Sequence, residues 1–349
     1  MMTRTDAQAA RFFYTALAAA VFAYAIVIVN TYTRVSGVAV GCPAGSDCYE
    51  RQLMVASQDG GLIPAPVPVP GYGERSWETK VHPYLAVALA VLVVRLAYLS
   101  WRVGRNMTHR RFVIPAIVFV LLFALVVPDL PAAGLKLRPL AAFMRLLAAS
   151  TILALLWWLV LREQRFWKSA DDTAFTRALR PRTIAALIIV AVAIAIGGWS
   201  NISRTGLPCA DFPTCHGAWW PSMDLAGAFA TLRFADVEHA RQPPGLGAAT
   251  AIHMLHRAGA LIVLLYVGWL AGRLFWTGIQ ENLCRYGLVA LILLLGQVSL
   301  GVMAVVMGMP MPVALAHSAV SALLLLSMVT LYHAIRPPGI IIIRALKSS

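Results

Sequence analysis

The chain has 349 residues, of which 60% are hydrophobic and only 13% are charged, and its mean hydropathy is +0.74. This composition is too apolar for a water-soluble fold and predicts an integral membrane protein. The net charge is +14, but a basic excess is also typical of the cytoplasmic side of a polytopic membrane protein, so nucleic acid is not needed to explain it. Five cysteines are too few for a disulfide-rich scaffold.

Eight apolar runs are long enough to cross a bilayer, which takes roughly 17–25 helical residues. They lie at about 12–30, 83–101, 112–128, 139–161, 182–199, 248–271, 286–308 and 311–334. Lys and Arg are concentrated in the N-terminal tail, in alternate loops and in the C-terminal tail. The positive-inside rule places these segments in the cytoplasm. We therefore expect a multi-pass protein of a bacterial-type inner membrane with both termini cytoplasmic.

The two long loops on the opposite side begin with similar phrases. The first reads T-R-V-S-G-V-A-V-G-C-P-A-G-S-D-C-Y from Thr33 to Tyr49, and the second reads S-R-T-G-L-P-C-A-D-F-P-T-C-H-G from Ser203 to Gly217. Each contains Cys-x5-Cys and is followed by a helix with a His near its start. The pattern predicts an all-α fold with eight transmembrane helices, arranged as two tandem four-helix bundles over residues 1–168 and 178–349.

Aligning the two halves identifies the polar residues that occupy equivalent positions. V-H-P-Y-L-A pairs with L-H-R-A-G-A, so His82 matches His256. R-P-L-A-A-F-M-R-L-L pairs with M-P-V-A-L-A-H-S-A, so Arg145 falls within one residue of the position of His317. The C-terminal half therefore has two intramembrane histidines at these positions, and the N-terminal half has one His and one Arg.

His256 and His317 are predicted to lie at similar depth in the outer half of the membrane. An imidazole in that environment needs a partner, because an unsatisfied polar group in hydrocarbon is costly. Two imidazoles facing each other across a bundle form an axial ligand pair for haem iron, and the alternative is two separate interhelical hydrogen bonds. Arg257 is suited to a haem propionate, or it extends its charge to the membrane surface.

Both Cys-x5-Cys pairs lie on the outer side, where a periplasm or an equivalent compartment is oxidising. Disulfides within each loop, Cys42–Cys48 and Cys209–Cys215, are the simplest interpretation. A zinc site with four cysteine ligands is the competing one, although its ligand pairs usually have shorter spacing. The first pair is also compatible with thiol–disulfide exchange.

Taken together, these motifs resemble the heme A synthase family. The resemblance also includes S-W-E-T-K-V-H-P-Y-L-A, L-K-L-R-P and C-A-D-F-P-T-C-H-G-A-W-W-P-S-M-D, and it extends over most of the chain in the same order. It implies haem b held by His256 and His317 in the C-terminal half and a haem O substrate site in the N-terminal half. It further implies His82 as a ligand of the substrate haem, Cys42–Cys48 as a disulfide, and oxidation of the C8 methyl of haem O to the formyl of haem A.

The N-terminal half departs from the family pattern at three positions. Arg145 stands where the family has a second His, Thr79 stands where it has a Glu, and Pro83 replaces the Arg that follows the first His. Glu78, four residues before His82, is the remaining candidate carboxylate. Because Pro83 disfavours helical geometry at His82, we expect the helix to begin there and Glu78 to belong to the loop. Arg145 cannot bind iron, but its charge is suited to a propionate.

Three function classes follow from these observations. The first is a membrane oxidase that converts haem O to haem A for cytochrome oxidase, with the enzyme that supplies haem O and an unidentified electron donor as partners. The second is a non-catalytic protein that binds haem b and assists or regulates oxidase assembly. A transporter ranks last, since the spans contain no acidic residue. The sequence is compatible with a homo-oligomer and leaves open whether Cys42 and Cys48 are redox-active.

Overall fold

The computed structural model of the protein describes residues 4–35, 51–56, 62–67, 77–103, 110–126, 138–163, 171–202, 207–231, 245–277 and 283–336. Within these ranges the chain is mainly helical, with one pair of strands. The elements in chain order are α1 (Arg4–Val35), β1 (Arg51–Ala56), β2 (Leu62–Val67), α2 (Trp77–Val103), α3 (Arg110–Val126), α4 (Arg138–Glu163), α5 (Ala174–Ile202), α6 (Leu225–Ala230), α7 (Leu246–Thr277), α8 (Cys284–Val306) and α9 (Met311–Ile335).

Seven of the described helices are long and apolar enough to cross a membrane, namely α1, α2, α4, α5, α7, α8 and α9. Large apolar side chains such as Val91, Ile188 and Leu265 are exposed on their outer surfaces, which is the arrangement expected of lipid-facing helices. The third predicted span, at about 112–128, overlaps α3 (Arg110–Val126), in which Val113–Leu122 form the apolar stretch among the described side chains. The protein is therefore a membrane protein, and the count of eight spans stays a prediction.

The start of α2 differs from the sequence-based expectation. The helix begins at Trp77 and continues through Pro83, so Glu78 lies in the helix and not in the loop before it. The expectation was wrong because a proline removes a single donor, the N–H that would otherwise bond to the Thr79 carbonyl, and the hydrogen-bond ladder can continue on either side. Proline is also present inside α3 and α5, at Pro115 and Pro181.

Helix contacts follow the same order in each half of the chain. In the first half α1 packs on α2, α2 on α3, α3 on α4, and α4 returns to α1; in the second half α5, α7, α8 and α9 repeat that cycle. Each group has an apolar cluster, and the cluster of the first group also takes in Ala322 and Leu326 of α9. This is the packing that two tandem bundles would give, while the repeat itself stays a prediction.

The two groups meet along α9, which packs on α1 and α4 as well as on its own neighbours. Tyr24 of α1 donates a hydrogen bond to the Ala319 carbonyl at 3.2 Å, and the Trp157 indole N–H of α4 donates to the Thr330 hydroxyl at 2.8 Å. Hydrogen bonds between helices of different groups fix their relative rotation more specifically than apolar contacts do. The helices α1 and α4 of the first group are thus held against α9, the helix that carries His317.

The first long loop contains an antiparallel hairpin that the sequence analysis did not predict. β1 pairs with β2, with Met54 opposite Pro64 and Gln52 opposite Pro66. The two prolines are two residues apart, so their missing N–H groups fall on one side of the strand, and β2 can keep its ladder on the other side.

Candidate functional site

His256 of α7 and His317 of α9 face each other across the second helix group, in which α7 and α9 are the diagonal pair and α5 and α8 lie between them. Their ring centres are 6.4 Å apart, and the ring planes are inclined by 77°. His256 follows the start of α7 by ten residues and His317 follows the start of α9 by six. The two helices begin on the same side of the bundle, so both rings lie toward that side, at the similar depth that the sequence predicts.

The spacing of the rings suits two ligands of one iron atom. An imidazole nitrogen binds a metal ion at about 2 Å and lies roughly 1.1 Å from its ring centre, so opposed axial imidazoles have centres about 6 Å apart. The Nδ1 atoms of both rings are buried and have no hydrogen-bond partner among the described residues. No group of three or more His, Cys, Asp or Glu converges in the described ranges, and a pair of imidazoles suits an iron whose other ligands come from a porphyrin.

Two glycines, on the helices that lie between α7 and α9, make room for the imidazoles. A Cβ at Gly197 of α5 would lie 2.9 Å from Cε1 of His256, and a Cβ at Gly301 of α8 would lie 3.2 Å from Cε1 of His317. Both distances are below ordinary van der Waals contact, so a side chain at either position would displace the ring. All four helices of the second group therefore shape this site.

Gln297 of α8 contacts one of the two candidate ligands directly. Its side-chain amide nitrogen lies 3.1 Å from Nε2 of His317. Gln297 and Gly301 are four residues apart in α8 and therefore lie on one face of that helix. The sequence analysis did not single out Gln297, although a lone glutamine in the apolar run L-I-L-L-L-G-Q-V-S-L is a signal of a buried polar contact.

Arg257 is held by the loop that follows α5. Its guanidinium donates hydrogen bonds to the carbonyl groups of Cys209, Asp211, Pro213 and Thr214, at 2.7 to 3.4 Å. It also lies over the Phe212 ring, 5.6 Å from the centroid. Its Nε is buried and has no partner in the described part of the chain. Arg257 thus fixes the loop next to His256 in α7. Its Nε–H group can still donate a hydrogen bond to another acceptor.

This loop contains the second predicted disulfide, since Cys209 and Cys215 are bonded to each other. Asp211 organises the turn between them, because its carboxylate accepts hydrogen bonds from the Thr214 hydroxyl and from the backbone N–H groups of His216 and Gly217. These bonds, that from Thr214 foremost, lower the pKa of Asp211 well below its usual range. The carboxylate is therefore charged at neutral pH.

The predicted residues of the N-terminal half are only partly described. Glu78 and His82 are four residues apart in α2, and their side chains lie outside the described residues, as do Cys42 and Cys48. Arg145 is half-buried in α4. A Cβ at Gly198 would overlap the side chain of Leu146, the residue after Arg145. The adjacent glycines of α5 thus face different neighbours, Gly197 toward His256 and Gly198 toward α4.

These features define a class: a helical membrane protein with a pair of histidines facing each other inside one four-helix group, beneath a disulfide-closed loop. Residues 13–329 match the COX15-CtaA family, described as cytochrome oxidase assembly protein, and the chain belongs to this family. It is also similar to the heme A synthase of Shewanella oneidensis, with 29% identity over 316 residues that cover 90% of this chain and 93% of that protein.

Proposed function

We propose that this protein is a heme A synthase, which oxidises the C8 methyl group of haem O to the formyl group of haem A for cytochrome oxidase. The observation that carries the proposal is the facing pair of His256 and His317, at a separation suited to one iron, in a chain that matches the family over 13–329. The likeness to the Shewanella oneidensis heme A synthase along 90% of the chain supports the same activity.

In this proposal the second helix group holds haem b. His256 and His317 would hold its iron through imidazole nitrogens, while Gly197 and Gly301 leave the space their rings need. Bound in this way, haem b supplies one-electron transfer. Arg257 holds the disulfide-closed loop beside His256 and offers its Nε–H to a propionate. The first helix group takes haem O as substrate, with His82 as its one imidazole, Glu78 as the nearby acid–base group and Arg145 as a propionate partner.

Haem extraction tests this proposal. The protein is expressed in cells that make haem O but lack their own heme A synthase, and the extracted haems are separated by chromatography. We expect haem A together with haem b. Recovery of haem b with unmodified haem O alone would reject the enzymatic proposal and leave a haem-binding protein.

One observation favours the second candidate, a non-catalytic haem b protein that assists or regulates oxidase assembly. Arg145 occupies the position at which the second half has His317, and a guanidinium does not bind iron. The first group then offers one imidazole at most from these two positions. The same extraction distinguishes the candidates, because only the enzyme changes the haem O side group.

Membrane orientation and partners complete the proposal. We place both termini in the cytoplasm of a bacterial-type inner membrane, which puts the His256–His317 pair and the Cys209–Cys215 loop toward the outer face. The enzyme that makes haem O supplies the substrate, and an electron donor, not yet identified, completes the reaction. The orientation is tested by labelling Ser349→Cys and Trp219→Cys in intact spheroplasts with a membrane-impermeant maleimide. We expect labelling at position 219 only, and labelling at position 349 would show that the orientation is the reverse.

A further inference from the structure

We infer that Gln297 caps the ligand nitrogen of His317, so that Nε2 must be released from the glutamine amide before it can bind iron. The inference rests on the proposed haem b site and adds a residue that governs how that site is filled. Its basis is the 3.1 Å contact between the Gln297 amide nitrogen and His317 Nε2.

The direction of this hydrogen bond follows from the atoms that meet. An amide NH₂ group donates and does not accept, so with the Gln297 nitrogen placed at the ring, Nε2 of His317 accepts and the ring proton belongs on Nδ1. The lone pair on Nε2 is the one that a metal ion would use. The Gln297 amide N–H therefore engages the lone pair through which His317 would bind iron.

Placing a glutamine side chain at position 297 is energetically unfavourable unless its polar atoms find partners. Its Oε1 is buried and has no hydrogen-bond partner in the described ranges, and an amide inside an apolar span is costly unless its polar atoms are paired. A leucine at this position would remove that cost. The contact with His317 is thus the feature that explains a glutamine at position 297.

The neighbouring glycine shows that this face of α8 is fitted to the ring. Gly301, one turn beyond Gln297, leaves the gap into which Cε1 of His317 projects. Gln297 and Gly301 together fix where the imidazole lies and which nitrogen is engaged. The hydrogen bond to Nε2 holds the ring in place at the expense of affinity, because it competes with iron for the same atom.

Haem titration tests the competition. Haem-free full-length protein in detergent, either wild type or Gln297→Leu, is titrated with haem b and followed by its low-spin absorbance. We expect the leucine variant to bind about three- to tenfold more tightly, which corresponds to one ordinary net hydrogen bond. Ser299→Ala is the matched control, since Ser299 is exposed two residues away on α8. Equal or weaker binding by Gln297→Leu would overturn the inference.

A second measurement on haem-free protein separates this inference from the proposed function. With ¹⁵N-labelled histidine, the Nε2 resonance of His317 should move in Gln297→Leu and stay unchanged in Ser299→Ala. An unchanged resonance in Gln297→Leu would show that no cap exists, whatever the haem content. Failure of the wild-type protein to bind haem b would instead reject the proposed function, and the resonance would still decide whether Gln297 engages His317.

Discussion

Gly197 of α5 lies directly against His256 of α7, so closely that a Cβ at position 197 would be 2.9 Å from Cε1 of the imidazole. The relationship makes the glycine part of the histidine site, although it carries no functional group. A methyl group there would push the ring out of place, because the helices on either side are packed and cannot both move away.

Substituting the two glycines should therefore impair haem binding in a graded way. We expect Gly197→Ala to lower haem b occupancy most and Gly301→Ala less, since the second contact would be 3.2 Å. Overpacking of this kind costs about 1–3 kcal/mol. Pyridine haemochrome analysis of the purified variants measures occupancy. Gly296→Ala is the matched control, because its Cβ would be 4.0 Å from Val320, and an equal loss in this variant would contradict the explanation.

Removing either histidine should abolish the low-spin b-type spectrum. His256→Ala and His317→Ala each leave one axial nitrogen, and we expect the optical spectrum of the reduced protein to lose its sharp α band. His333→Phe serves as the control on the same helix, since residue 333 is about 24 Å along α9 from residue 317 and an aromatic ring there keeps the contact with Trp158. A spectrum that survives both alanine variants would show that other residues bind the haem.

Much of the site could be predicted from the sequence because its determinants are local. Hydropathy located the helices, and the position of each His relative to its helix start gave a common depth. Gln297 was missed because no pattern in a single chain shows which residue of another helix a glutamine faces. For Arg257 the sequence predicted a haem propionate or the membrane surface, and both stay predictions, but it did not predict the four loop carbonyls, 43 to 48 residues away, that accept hydrogen bonds from the guanidinium. Contacts of that kind depend on how a loop folds back, which periodicity does not encode.

Replacing Arg257 should loosen the disulfide-closed loop. Lysine keeps the charge but has no planar fork to reach four carbonyls, and each charge-assisted hydrogen bond contributes roughly 1.5–3 kcal/mol. We expect Arg257→Lys to speed reduction of Cys209–Cys215 by about tenfold or more, measured by maleimide trapping and mass spectrometry. Arg273→Lys, at an exposed position of the same helix, should react at the wild-type rate. Unaltered kinetics in Arg257→Lys would mean that the loop holds its shape without the guanidinium.

The same assay tests how the stability of the disulfide-closed loop depends on pH. Hydrogen bonding lowers the pKa of Asp211 in the folded loop. The stabilisation that the Asp211 carboxylate gives the loop is therefore present above the ordinary carboxyl pKa of about 3.9, and it is lost only as the pH falls through the lowered pKa. We therefore expect the ratio of the reduction rates of Asp211→Asn and wild type to be above one and constant between about pH 5 and 8. Asp172→Asn, at the other end of α5, is the control. A ratio that drops toward one within that range would place the Asp211 pKa there and contradict the assignment.

Arg145→His tests the asymmetry between the two halves. Arg145 lies within one residue of the position equivalent to His317, and α4 packs on α5 beside it. If the first group holds haem through His82 alone, its iron keeps one axial position for another ligand, and we expect a high-spin signal in the electron paramagnetic resonance spectrum of the oxidised protein. A histidine at position 145 should convert that signal to a low-spin one, while Arg145→Lys should leave it high-spin, since lysine keeps the charge and is protonated at neutral pH. A spectrum that is the same in all three proteins would show that position 145 does not face the iron of the first group.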